Sequence, residues 1–177
     1  MDEVERLIRI LSTTEPVSAS EKISVLANLD RLRDARVVPF VLRLVLDESQ
    51  PIALRLHALR MLRNGRLAPD ERVDVADTFC RLLSGASAPD LRVHAAVALG
   101  EFTDIPNVLT ALANIILGDE PLDLRYSAFT SAQRSGPTSE SLALLDRLAR
   151  DETLGPSAQS VLSAWRARQP PLHQTRP

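Results

Sequence analysis

The sequence predicts an all-α protein built from about five antiparallel helical hairpins in tandem. Three observations predict it. Apolar residues recur at helical spacing and show no alternating runs of the kind strands need. Pro16, Pro51, Pro89 and Pro121 punctuate the chain at intervals of 35, 38 and 32 residues. One short motif returns three times, and periods of this size mark stacked helical pairs.

Each hairpin has its own signals. Residues 3–31 open on Val4, Leu7, Ile8 and Leu11, an i, i+3, i+4, i+7 stripe with charges elsewhere, as a polar end-cap of a helical array requires. Residues 35–64 follow Asp34, and 104–135 start at Asp104. Both aspartates are read as N-caps of helices reaching Leu46 and Leu117. Between them, 69–102 forms the central hairpin. The fifth, 138–168, follows Gly136-Pro137-Thr138 and buries Ala158, Val161, Leu162 and Trp165. The four prolines suit first-turn positions, where a missing N–H costs little. Gly65, Gly85, Gly118 and Gly155 sit where helices are expected to stop. One domain over 1–168 results, followed by a tail, 169–177, with no core to join and expected to be disordered.

Composition agrees. A chain of 177 residues can bury roughly 70% of its unfolded surface. Aromatics are 3%, and small aliphatics suit close helix packing. The basic residues are 20 Arg and one Lys, a bias of genome composition rather than chemistry. Net charge is −2, which argues against a general polyanion binder. Residues 1–66 balance at +2, 67–123 at −7 and 124–177 at +3. An unevenly charged, solvated surface is the simpler reading of this pattern. An acidic middle that draws a basic partner is the other. Cys80 is the lone cysteine and lies in an apolar helical context, so it reads as a buried structural thiol. No apolar run approaches the ~18 residues of a membrane span, and the acidic N-terminus lacks a signal-peptide core. The expected location is cytoplasmic.

The recurring motif is Leu-Arg-x-x-Ala. It appears as Leu54-Arg55-Leu56-His57-Ala58, Leu91-Arg92-Val93-His94-Ala95 and Leu124-Arg125-Tyr126-Ser127-Ala128. The middle copy continues to Ala98-Leu99-Gly100. This resembles the second helix of bacterial HEAT repeats, including those of phycobilin-lyase-like proteins, with Val-Arg-x-x-Ala-x-x-Ala-Leu-Gly after an acidic residue. The likeness is strong over 89–102, fair near 51–64 and 121–134, and weak at both ends. It implies a right-handed α-solenoid whose second helices line a concave surface.

Rotation by ~100° per residue separates two sets of positions. Arg55, Arg92 and Arg125 fall inside the apolar arcs of their helices. A guanidinium there needs a partner, so these arginines are read as structural, in grooves between repeats, bonded to carboxylates or helix-end carbonyls. Asp47 and Glu48 are suited to Arg55, and Asp119 and Glu120 to Arg125. Position 86, six before Arg92, is Ala where an acid is expected. On the opposite side lie His57, Arg60 and Asn64, then His94, Val97 and Glu101, then Ser127, Thr130 and Arg134. They define either a shallow mixed-polarity groove for a peptide, helix or globular partner or an ordinary wet face.

Catalytic constellations are missing from the sequence. There is no Gly-rich phosphate loop, Gly-x-Ser-x-Gly elbow or His-Glu-x-x-His. His57 and His94 occupy equivalent positions but lack a third ligand, and His173 belongs to the tail. Glu120 and Asp123 read as dipole-stabilising acids at a helix start. No cofactor or metal is expected. The predicted function is a non-catalytic module binding another protein or peptide, an adaptor, scaffold or regulatory subunit. The resemblance leaves a lyase-like or chromophore-handling role as the alternative. A nucleic-acid-binding solenoid fits less well, because one Trp, one Tyr and an acidic middle do not make a basic aromatic cleft.

Overall fold

In the computed structural model the described residues are 1–13, 17–85 and 88–168. They form ten α-helices and no strand. In order these are α1 (Glu3–Ser12), α2 (Ala19–Arg31), α3 (Val37–Leu46), α4 (Ile52–Asn64), α5 (Pro69–Ser84), α6 (Pro89–Leu99), α7 (Val108–Leu117), α8 (Leu122–Ala132), α9 (Ser139–Leu148) and α10 (Gly155–Arg168). Short 3-10 turns, Gly100–Phe102 and Gln133–Ser135, extend α6 and α8. Pro16, Ala86 and the tail 169–177 lie outside the described residues.

Consecutive helices pair: α1 with α2, α3 with α4, α5 with α6, α7 with α8, and α9 with α10. Packing then runs along two files. Among the even helices α2 touches α4, α4 touches α6 and α6 touches α8, and among the odd helices α3 touches α5, α5 touches α7 and α7 touches α9. One apolar core runs between the files from Val4 to Leu162. Its bulk is Leu, Val, Ala and Phe, with Phe79 and Phe102 meeting edge to face at 5.8 Å. Each fully buried Leu or Phe contributes ~1.5–3 kcal/mol. No helix here is long and apolar enough to cross a membrane, among the described residues.

Local chemistry sets the helix starts. Asp2 and Glu5 close a capping box on α1, and Ser18 and Glu21 close one on α2. Pro69 and Pro89 occupy first turns, Pro51 and Pro121 sit one step earlier as N-caps, and Thr138 caps α9 by accepting from the Ser141 N–H. Along α1, Val4, Leu7 and Leu11 are buried and Ile8 half-buried.

Three expectations are corrected. Asp34 and Asp104 cap nothing. The Asp34 carboxylate is drawn to the Arg36 backbone and guanidinium, at 2.9 and 2.8 Å, and α3 starts only at Val37. Asp104 is drawn 2.7 Å to Arg72 instead, and α7 starts after Asn107, which turns the chain at φ 70°. Gly65, Gly85 and Gly118 do end helices, but Gly155 begins one. A Cβ there would sit 3.0 Å from the Ala149 carbonyl oxygen, so glycine lets α10 pack closely on the end of α9. Cys80 is half-buried rather than buried, and burial pushes its thiol up to about 11.

Candidate partner-binding face

The four even helices α2, α4, α6 and α8 share one register. Counting from the first residue of each, the fourth positions are Lys22, Arg55, Arg92 and Arg125. Lys22 and Arg55 are buried, and the other two are half-buried. All four donate to the same place, the penultimate carbonyl of the odd helix in their own hairpin. Lys22 Nζ reaches Leu11 at 3.5 Å, Arg55 Nε reaches Val45 at 2.8 Å, Arg92 Nε reaches Leu83 at 2.9 Å, and Arg125 Nε reaches Ile116 at 2.8 Å. A helix C-terminus carries unsatisfied carbonyls and partial negative charge, so a cation there is held twice over.

Three of the four cations also reach forward into the next hairpin, whereas the Arg55 bond to Val45 stays within its own hairpin, not between repeats as expected. Lys22 donates to Gln50 Oε1 at 3.1 Å, Arg92 grips Glu120, and Arg125 pairs with Asp151. This corrects two partner assignments. Glu120 belongs to Arg92, not Arg125, because the ladder runs forward by one hairpin rather than staying within it. The Asp47 carboxylate is hydrogen-bonded to Ser49 and Gln50 and feels Arg55 only through its charge, while Arg55 donates to the Val45 carbonyl. The carboxyl of Glu120 is lowered by its bond to Arg92. Asp151 is held at about 2, first by the Leu154 backbone N–H and then by Arg125. The three-arginine motif does not extend to Lys22. The signal that finds it is the Ser18 capping box, which makes it the fourth residue of α2.

The nine face residues also fall into register. His57, His94 and Ser127 are sixth in their helices, Arg60, Val97 and Thr130 ninth, and Asn64, Glu101 and Arg134 thirteenth counting into the 3-10 turns. None of the nine is buried. Glu101 and Arg134 come together at 2.9 Å, and Arg63 joins Glu101 at 3.6 Å. Arg63 Nε is buried and has no acceptor among the described residues. His57, Arg60 and Asn64 border a groove between α2 and α4, with Arg31 on its opposite wall. His94 and Ser127 border a separate groove between α6 and α8. The two histidines therefore line different grooves, and no three His, Cys, Asp or Glu among the described residues are placed to hold a metal.

The face is electrically uneven. Arg31 and Arg60 outnumber Asp30 in the α2–α4 groove, whereas Asp90 and Asp123 stand in the α6–α8 groove with no Arg or Lys beside them. Two features escape the sequence reading: the half-exposed Tyr126 and Leu122 at the second groove, and the clustering of Arg63 with Glu101 and Arg134. Tyr126 sits in the repeated motif where the other copies have Leu56 and Val93. No protein-family model matches the chain, and no curated protein is significantly similar to it.

Proposed function

We propose that this chain is a non-catalytic protein-interaction module, a scaffold or adaptor whose hairpins continue the HEAT-like pattern as a right-handed solenoid with the even helices along its concave side. One observation carries the reading. The sixth, ninth and thirteenth positions of α4, α6 and α8 are all left out of the core, while the third, fourth, seventh, eighth and eleventh positions of the same helices are buried or, for Arg92 and Arg125, tied to the neighbouring hairpin. A surface repeated in register over successive helices and spared from packing suits an extended partner such as a peptide, a helix or the edge of a folded protein.

The test is affinity capture from a host lysate with the wild type and with Arg60→Glu/Thr130→Arg. Both side chains are exposed and outside the ion pairs described above. A protein recovered by the wild type and lost with the double variant supports the module reading. Equal recovery removes this face from it.

A further inference from the structure

Among the described residues, the most exposed large apolar side chains within a helix are Leu122, at 50%, and Tyr126, at 53%. They stand one turn apart on α8 and edge a groove of about 690 Å³ that Asp90, Val93 and His94 of α6 complete. The Tyr126 ring leans on the buried Phe129 ring at 6.2 Å, so the exposed aromatic is held in place. Asp90 and Asp123 are the second residues of α6 and α8. Their position in a first turn accounts for their sign, and the acids alone would define nothing. What sets the groove apart is an open aromatic and aliphatic wall between them.

The occupant follows from charge and shape. Glu101, Asp104, Glu120 and Asp151 are each spent on an arginine. No ion pair or side-chain hydrogen bond engages the carboxylates of Asp90 and Asp123 among the described residues, and no Arg or Lys lines the groove. Elsewhere, among the described residues, the protein builds the complementary arrangement once. Arg72 lies over the Phe102 ring at 5.0 Å while pairing with Asp104 at 2.7 Å. An aromatic face beside a carboxylate is a receptor for a guanidinium, which stacks and pairs at once, and an ammonium does this less well.

We propose that the α6–α8 groove docks an arginine-bearing apolar segment of a partner protein. The guanidinium sits over Tyr126 between Asp90 and Asp123, and a neighbouring apolar side chain rests on Leu122 and Val93. The proposal rests on the interaction reading above and names the partner's chemistry at one place on that face.

Fluorescence anisotropy with three short labelled peptides tests it: alternating Arg/Leu, Arg/Ser and Glu/Leu. The intact protein binds the Arg/Leu peptide saturably. Tyr126→Ala and Asp90→Asn/Asp123→Asn each weaken that binding about tenfold or more, and the Arg/Ser peptide is weaker by a similar factor. These side chains are at the surface, so unchanged thermal midpoints separate lost binding from lost fold. Arg/Leu binding that both variants leave intact, or preference for the Glu/Leu peptide, overturns the proposal. Sedimentation showing a dimer that Tyr126→Ala dissolves overturns it too, by giving the groove to a second copy. Lysate capture that responds to Arg60→Glu/Thr130→Arg but not to Tyr126→Ala overturns this groove alone and leaves the wider interaction reading standing. Capture indifferent to both variants overturns both.

Discussion

Arg92 grips Glu120 with two prongs across the junction between the third and fourth hairpins, Nη1 to Oε2 at 2.9 Å and Nη2 to Oε1 at 2.7 Å. Its third nitrogen, Nε, donates to the Leu83 carbonyl at 2.9 Å. One side chain thus ties the end of α5, the start of α6 and the loop before α8. The pair is sheltered, with 18% and 25% of the two side chains exposed, which places it between a surface bridge and a buried one. Arg92→Ala should destabilise the fold by about 2 kcal/mol, lowering the thermal midpoint by roughly 4–8 °C. Arg92→Lys should recover only part of this, because an ammonium cannot fork onto a carboxylate and reach a carbonyl together. Calorimetry on Arg92→Ala, Glu120→Gln and the Arg92→Ala/Glu120→Gln double variant, taken as a double-mutant cycle, reads the coupling. Additivity within error would show that the two residues do not act as a pair.

Asp151 links acid to the last junction. Its carboxyl is held at about 2 against an ordinary 3.8 by the Leu154 and Thr153 N–H groups and by Arg125. A folded-state value below the unfolded one means stabilisation that is complete above about pH 4 and lost as pH falls toward 2. Urea midpoints measured from pH 6 to pH 2 should therefore separate wild type from Asp151→Asn at the upper end and bring them together at the lower. Curves that stay parallel throughout would remove Asp151 from the acid response.

Much of this arrangement is legible in the sequence, and the unread part has a physical cause. The hairpins, the buried stripe of α1 and the structural role of Arg55, Arg92 and Arg125 follow from helical spacing, because burial imposes a period of 3.6. Partner choice for the arginines does not follow. Glu120 lies 5 residues before Arg125 but 28 after Arg92, and only three-dimensional packing decides between the near acid and the far one. Helix starts at α3 and α7 slip by several residues for a similar reason. Asp34 and Asp104 have the chemistry of caps, but Arg36 and Arg72 compete for them and win. The exposure of Tyr126 also escapes, since it occupies an x position of the motif, which the repeat leaves unassigned.

Lys22 offers a test of the shared register. It is 6% exposed, and its ammonium meets only neutral oxygens among the described partners: the carbonyls of Leu11 and Thr13 and the Gln50 side chain. The charge is compensated by the α1 C-terminus rather than by a carboxylate in these contacts. Lys22→Met keeps the apolar stem and deletes the donor, leaving buried carbonyls unpaired. The expected loss is about 1–3 kcal/mol by chemical denaturation. A neutral or stabilising result would mean that water replaces the ammonium at no cost and that Lys22 does not belong with the three arginines.

Cys80 should be inert. A thiol pushed up to about 11 by burial, with Asp77 adding to the effect, is about one-thousandth thiolate at pH 8, and the thiolate is the reacting species. Labelling by an aromatic disulfide reagent should be far slower in the native protein than in urea. Equal rates would contradict the placement of this side chain against the core.

A close approach between two hairpins provides the last test. Gly100, buried at the end of α6, faces α8 so tightly that a Cβ would lie 2.9 Å from Arg134 Cδ, 3.1 Å from Ser131 Oγ and 3.3 Å from Ser131 Cβ. Its φ of −58° is ordinary, so glycine is needed for space and not for backbone conformation. Arg134 is a long, exposed side chain that can swing away, whereas Ser131 is buried on α8 and its Cβ cannot move without the helix. Gly100→Ala should therefore destabilise by about 1–3 kcal/mol, as overpacking does, and removing the Arg134 side chain should relieve only the smaller part. Full rescue of Gly100→Ala by Arg134→Ala would show that the flexible arginine, not the helix, sets the spacing between α6 and α8. A loss that persists in the Arg134→Ala background places the limit in the packing of the two helices themselves, the same packing that positions Glu101 beside Arg134 and His94 beside Ser127.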